Sequence, residues 1–204
     1  IDPDRLATYG SGGTGGGNAV YVAAIDARVK CCVSYLGVSS GREWLHSMRR
    51  EYEWVDYLKS MEEDRKLRAT TGKGAIVSAR EGGIMVQTPE RVTTTIKKDV
   101  ADKIPDAMPL ACAEAILEYS PIDVVHKISP RGVLFIAVEG DAVTPEKQSF
   151  DLYEAAGEPK KLVLYKKTTH YGIYNDYFDD VAANVVGWYN RHLKYHKVEI
   201  IEKN

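Results

Sequence analysis

The segment Gly10-Ser11-Gly12-Gly13-Thr14-Gly15-Gly16-Gly17 constrains this chain more than any other. Glycine loses the most backbone freedom on folding, so a run this dense costs stability unless a tight turn or a close backbone approach requires it. Its flanks say which. Arg5 to Tyr9, before it, is a short strand candidate, and Asn18 to Ala27, after it, places Val20, Tyr21, Ala24 and Ile25 at helical spacing. Val29 to Val38 follows as an apolar, β-branched run without polar alternation, the pattern of a parallel strand covered on both faces. Strand, glycine turn, helix and strand make a βαβ unit.

The alternation returns near the C-terminus. Gly132 to Val138 reads as a second buried strand, and Pro145 to Ala156 as a helix closed by Gly157 and Pro159. Lys161 to Tyr165 is a third strand, and Tyr177 to Leu193 a final amphipathic helix. The fold class that fits is α/β: a three-layer α/β/α arrangement around a mostly parallel sheet. Between these two stretches the character changes. Trp44, Leu45, Met48, Tyr52, Val55, Leu58 and Met61 recur every three or four positions, which predicts one amphipathic helix over Arg42 to Arg68 with its charges on a solvated face. Thr71 to Gly83 reads as a loop, Thr88 as the N-cap of a helix from Pro89 to Val100, and Cys112 to Tyr119 as a short helix. The expected division is a core in two pieces, 1–40 and 118–204, interrupted by a helical cap insertion over 41–117. Trp44 and Trp54 belong to the core of that insertion or roof a pocket, and the core reading is favoured.

Composition removes several function classes. At 204 residues the chain holds one well-buried domain. A formal net charge of −2, with Lys and Arg interleaved among Asp and Glu, gives no basic face for nucleic acid. No apolar run approaches the roughly 20 residues that span a bilayer, and without a basic segment followed by an apolar core at its start no signal peptide is expected. Cys31 and Cys32 are adjacent in an apolar run and Cys112 is left over, so buried inert thiols are expected and the cytoplasm is the expected compartment. The sequence opens on Ile1-Asp2-Pro3-Asp4-Arg5, without an initiator Met and directly ahead of a strand, so the expectation is a fragment whose sheet lacks its N-terminal strands.

In open parallel sheets ligands bind beyond the carboxyl ends of the strands. Three loops leave such ends here, and each carries a reactive candidate. One is the glycine cluster. The second is Glu139-Gly140-Asp141-Ala142-Val143-Thr144-Pro145, where Asp141 can reach a histidine or cap the helix that begins near Pro145. The third is Thr168-Thr169-His170-Tyr171-Gly172, where His170 stands among small polar residues rather than on an apolar helix face. His46, His126, His192 and His196 lie without partners at metal-ligand spacing and read as structural or surface residues. No metal and no cofactor is expected.

The order of nucleophile turn, acid and histidine is that of the α/β-hydrolase triad. The run Ile1-Asp2-Pro3-Asp4-Arg5 into the glycine turn, Asn18-Ala19 through Asp26-Ala27-Arg28-Val29-Lys30, Ser120-Pro121-Ile122-Asp123-Val124-Val125, Gly140-Asp141 with Pro145 beyond it, and Thr169-His170-Tyr171 resemble α/β-hydrolases of the dienelactone-hydrolase and X-Pro-dipeptidyl-peptidase-like type. The resemblance covers both ends of the chain and reaches the middle only as a helical cap. It implies His170 as general base, Asp141 as its orienting acid, and backbone N–H groups such as those of Gly13 and Gly15 as part of an oxyanion hole.

At the elbow the sequence departs from the family's Gly-x-Ser-x-Gly. Counting forward from Arg5, the family serine falls on Gly12; counting back from Asp26, it falls on Gly13. Thr14, in Gly12-Gly13-Thr14-Gly15-Gly16, and Ser11 are the nearby hydroxyls; the third possibility is that no side chain attacks and water does. A phosphate-binding turn is disfavoured, since the Gly-Lys-Ser/Thr of a Walker loop is absent. The expected function is hydrolysis of an ester, lactone, amide or related acyl bond, with a small-molecule acyl substrate as partner and self-association left open. The alternative is a hydrolase-fold binding or scaffold protein that has lost its nucleophile.

Overall fold

The computed structural model describes residues 2–78, 82–90 and 105–193. Four parallel strands form the central sheet: β1 (Leu6–Ser11), β2 (Val29–Tyr35), β5 (Gly132–Val138) and β6 (Lys160–Tyr165), side by side in the order β1-β2-β5-β6. The two middle strands are almost wholly buried, which is why β5 is a continuous apolar run and β2 departs from one only at Lys30 and Ser34. Side chains alternate between faces of the sheet. Cys32, Val133 and Phe135 pack with α1 (Gly13–Ile25) and α5 (Glu146–Ala155) on one face. Cys31, Val33, Leu134 and Ile136 pack with α7 (Phe178–His192) on the other. The adjacent cysteines therefore point to opposite sides of the sheet, and burial pushes both thiols up to about 12.

Register aligns the strands' carboxyl ends. Ser11 pairs with Tyr35, Tyr35 with Ile136, and Val138 with Tyr165, so the three loops of interest leave the same edge of the sheet. At the opposite end Arg131 gathers the α1–β2 turn: its Nη1 donates to the carbonyls of Ala23, Asp26 and Val29 at 2.7, 3.1 and 2.8 Å.

The glycine cluster folds differently from the expectation. The helix does not wait for Asn18; α1 starts at Gly13, inside the cluster. Glycine in a helix costs about 1 kcal/mol relative to alanine, and packing offsets it. A Cβ on Gly16 would lie 2.4 Å from the Cα of Gly37, and one on Gly37 would lie 2.7 Å from the carbonyl carbon of Gly16. Helix α1 crosses the loop after β2 backbone to backbone, a distance no side chain would permit.

The segment between β2 and β5 also departs from the expectation. The single helix over 42–68 is two, α2 (Gly41–Ser47) and α3 (Glu51–Thr71). Arg50 is extended (ψ 157°), its backbone N–H donates to the Glu53 carboxylate at 2.7 Å, and this new N-terminus breaks the repeat. The apolar spacing survives the break and so conceals it. The Thr71–Gly83 loop contains a strand, β3 (Ile76–Ser78), antiparallel to β4 (Ala107–Pro109); strands of three residues leave too little pattern to read. Helix α4 (Ala111–Glu118) follows. Met61, Ile84, Leu110 and Ala113 form a small core of their own, flanked by ion pairs of Arg65 and Arg68 with Glu114 and of Arg68 with Asp64. Most of the expected helix from Pro89 to Val100 lies outside the described residues, as does His196. The C-terminal helix is preceded by a separate turn of helix, α6 (Ile173–Asp176). Among the described residues no helix is long and apolar enough to cross a membrane.

Candidate active site

His170 and Asp141 meet. His170 Nδ1 lies 2.7 Å from Asp141 Oδ2, and both residues are only 4% exposed. Asp141 does not cap the helix after it; the N-cap of α5 is Pro145, with no side-chain cap. Its other oxygen instead accepts the backbone N–H groups of Val143 and Thr144 at 2.7 and 2.8 Å, which fixes the carboxylate on a tight turn at the end of β5. With Nδ1–H donating to this carboxylate, the lone pair of the imidazole is at Nε2. Nε2 forms no hydrogen bond among the described residues.

The loop carrying His170 is held on both sides. Glu139 N donates to Tyr165 O across the ends of β5 and β6 at 2.9 Å. Beyond the histidine, Thr169 accepts Gly172 N on its hydroxyl and Ile173 N on its carbonyl, both at 3.1 Å, which starts α6. Tyr171 N donates to the Glu90 carboxylate at 2.8 Å, so the segment between β2 and β5 touches the histidine loop directly.

At the elbow the apex is Gly12. It is the N-cap of α1, with φ +66°, and its N–H donates to Tyr35 O at the end of β2 at 2.9 Å. That left-handed backbone suits glycine and strains other residues. Among the described residues beyond its chain neighbours, a Cβ there would meet only the Tyr174 hydroxyl at 3.6 Å, an ordinary contact. Gly13 is another matter: it is buried, and a Cβ on it would come within 2.8 Å of Trp44 Cη2. Trp44 lies over the start of α1 and donates its indole N–H to Val143 O at 2.8 Å, joining the elbow to the acid loop. Gly13 and Gly15 occupy the first turn of α1, whose N–H groups have no partner within the helix.

The two hydroxyls lie on either side of the apex. Ser11 ends β1 and Thr14 is in the first turn of α1; both are exposed, and neither forms a hydrogen bond with His170. Ser11 interacts instead with the Tyr174 hydroxyl. Tyr174, on α6, stands edge-on to His170 with ring centroids 6.2 Å apart and packs on Tyr35 at 5.0 Å. Burial pushes its hydroxyl up to about 12, so it carries its proton at neutral pH. Sequence reasoning missed Tyr174 and the role of Trp44 at the elbow. The one signal for Tyr174 is its place four residues after His170; nothing local marks Trp44.

His46 and His192 make their contacts elsewhere. His46 stacks on the buried Trp54 and pairs with Glu51, while His192 packs on Trp188. No group of three His, Cys, Asp or Glu side chains that could hold a metal occurs among the described residues.

The architecture is the α/β-hydrolase fold. The chain superposes on the α/β hydrolase GrgF from Penicillium sp. sh18 with a TM-score of 0.71 at 17% identity, covering 96% of this chain and 66% of that one. It also superposes on the monoacylglycerol lipase of Paleococcus ferrophilus with a TM-score of 0.62 at 15% identity, covering 92% and 69%. No family model matches the sequence. It is 28% identical over 195 residues to a 31.7 kDa Escherichia coli protein described as uncharacterized, from the traX-finO intergenic region, covering 95% of this chain and 67% of that protein. The chain thus spans about two thirds of the length of these proteins, and just under that of GrgF.

Proposed function

We propose that the chain carries the acid–base site of a hydrolase acting on an ester, lactone, amide or related acyl bond of a small molecule, with His170 as general base and Asp141 orienting it. The observation that carries this reading is the buried 2.7 Å His170–Asp141 contact at the carboxyl edge of the sheet. A histidine and a carboxylate kept from water with Nδ1 engaged have little structural purpose, because two hydrophobic residues would fill the same space at less desolvation cost.

Gly12 at the apex favours direct attack by water over an acyl-enzyme. In that reaction water bonds to the acyl carbon while its proton passes to His170 Nε2. The carbonyl electron pair moves to oxygen, facing the first-turn N–H groups of α1. Collapse of the adduct breaks the bond to the leaving alcohol or amine, which takes the proton from His170. The neighbours described as an α/β hydrolase and a lipase support the reaction class.

A second reading is a binding module, and the same Gly12 favours it, since the nucleophile is absent where the elbow would present it. The separating experiment is hydrolysis of a panel of short-chain p-nitrophenyl esters by the protein and by His170→Ala, Ser11→Ala and Thr14→Ala. Turnover abolished only by His170→Ala supports the water mechanism. Loss with one hydroxyl variant as well identifies a covalent step, and esters left untouched by all four proteins favour the binding module.

A further inference from the structure

We propose that Tyr174 is a catalytic residue of this site: its hydroxyl holds the attacking water in the space above Gly12, beside His170. The inference rests on the acid–base reading above and deepens it. An elbow whose apex is glycine has lost the atom that would place an oxygen in front of the acyl carbon, and freely diffusing water is a poor substitute, since alignment of the reacting atoms carries much of the rate. Some other group must fix that oxygen.

Three observations converge on Tyr174. Among the described residues, apart from Gly12's own chain neighbours, its hydroxyl is the one atom within 4 Å of where a Gly12 side chain would begin, at 3.6 Å. Its ring stands edge-on to His170, and α6 follows the histidine loop directly, which places the tyrosine beside the base. Ser11, on the other flank of the apex, lies near enough to interact with the same hydroxyl from the strand side. The ring is wedged against Tyr35, itself buried at the end of β2. The result is a phenol fixed in position over a backbone that has no side chain. The phenol is protonated at neutral pH and donates to the water oxygen, while the water turns a hydrogen toward His170 Nε2. Ser11 then has a supporting part rather than the nucleophilic one.

The test compares the protein with Tyr174→Phe, which keeps the ring and its packing, and with His170→Ala. The readouts are ester hydrolysis, thermal unfolding and calorimetric binding of phenylphosphonate, a tetrahedral anion that resembles the adduct. Where the protein hydrolyses ester, Tyr174→Phe is expected to lower kcat about 10- to 100-fold with KM within about twofold and the melting temperature unchanged. Unchanged kcat in Tyr174→Phe overturns the proposal, and so does a rise in KM alone. His170→Ala that hydrolyses as well as the parent rejects the acid–base reading itself, a separate result. Where no ester is hydrolysed, phosphonate binding decides: an affinity about tenfold weaker in Tyr174→Phe supports the tyrosine as a ligand of this space. Equal affinity, or no binding by the parent, overturns it.

Discussion

His170 Nδ1 and Asp141 Oδ2 stand 2.7 Å apart although 29 residues separate them in the chain. A helix and a strand intervene, and the pair forms because β5 and β6 are neighbours whose ends are level at Val138 and Tyr165. The acid is the more deeply committed partner, with one oxygen on the imidazole and the other on two backbone N–H groups.

Asp141→Ala is therefore expected to destabilise the fold as well as disable the site. It strands the Val143 and Thr144 N–H groups in a buried turn, at about 3 kcal/mol. Asp141→Asn keeps one acceptor oxygen and should cost less stability, yet lower turnover by about 10³-fold or more by favouring the wrong imidazole tautomer. Urea unfolding read beside ester hydrolysis distinguishes the two effects.

Gly12→Ser should fold, and Gly13→Ser should not fold well. The first meets the Tyr174 hydroxyl at an ordinary 3.6 Å and pays for φ +66° with about 1–2 kcal/mol. The second drives a Cβ to 2.8 Å from the Trp44 ring, an overpacking cost of about 1–3 kcal/mol in addition to its own backbone strain at φ +21°. Gly12→Ser also sets a hydroxyl at the apex, and labelling by a fluorophosphonate probe is expected in that variant, dependent on His170. A Gly12→Ser protein that unfolds at much lower temperature than Gly13→Ser would contradict this geometry.

Gln148 fixes the loop after β2. Its buried Oε1 accepts Ser39 N and Ser39 Oγ at 2.9 Å and Ser40 N at 3.2 Å. Gln148→Leu preserves volume and removes the acceptor, so a loss of about 2–4 kcal/mol is expected from the stranded donors. Gln148→Glu retains it and should be milder. Chemical denaturation midpoints of the two variants test the order.

The buried thiols predict an alkaline instability. Cys31 and Cys32 are pushed up to about 12 by burial, against about 9 for an accessible thiol. Above pH 9 the unfolded chain releases these protons and the folded one does not. Stability should be complete below pH 9 and decline as pH rises toward 12. Denaturant midpoints from pH 8 to pH 11 check the slope, and alkylation by iodoacetamide at pH 8 should spare both thiols until urea unfolds the chain.

The sequence by itself determined the βαβ frame and its fold class, because strands buried on both faces are dominated by apolar residues, as Gly132–Val138 is throughout and Val29–Tyr35 is apart from Lys30 and Ser34. It also determined the loops to watch, since Asp141 and His170 stand just beyond the carboxyl ends of β5 and β6. Short and interrupted elements escaped it: the break at Met48–Arg50 depends on one backbone-to-carboxylate bond, and β3 depends on a partner near residue 107. Only the tertiary structure decided which glycine is the apex. Gly12 and Gly13 are identical as residues and adjacent in the chain; they differ in that Tyr174 leaves room above one and Trp44 closes over the other. Those side chains arrive from positions more than 30 residues later and more than 150 residues later in the chain, and contacts at that separation leave no local pattern to read.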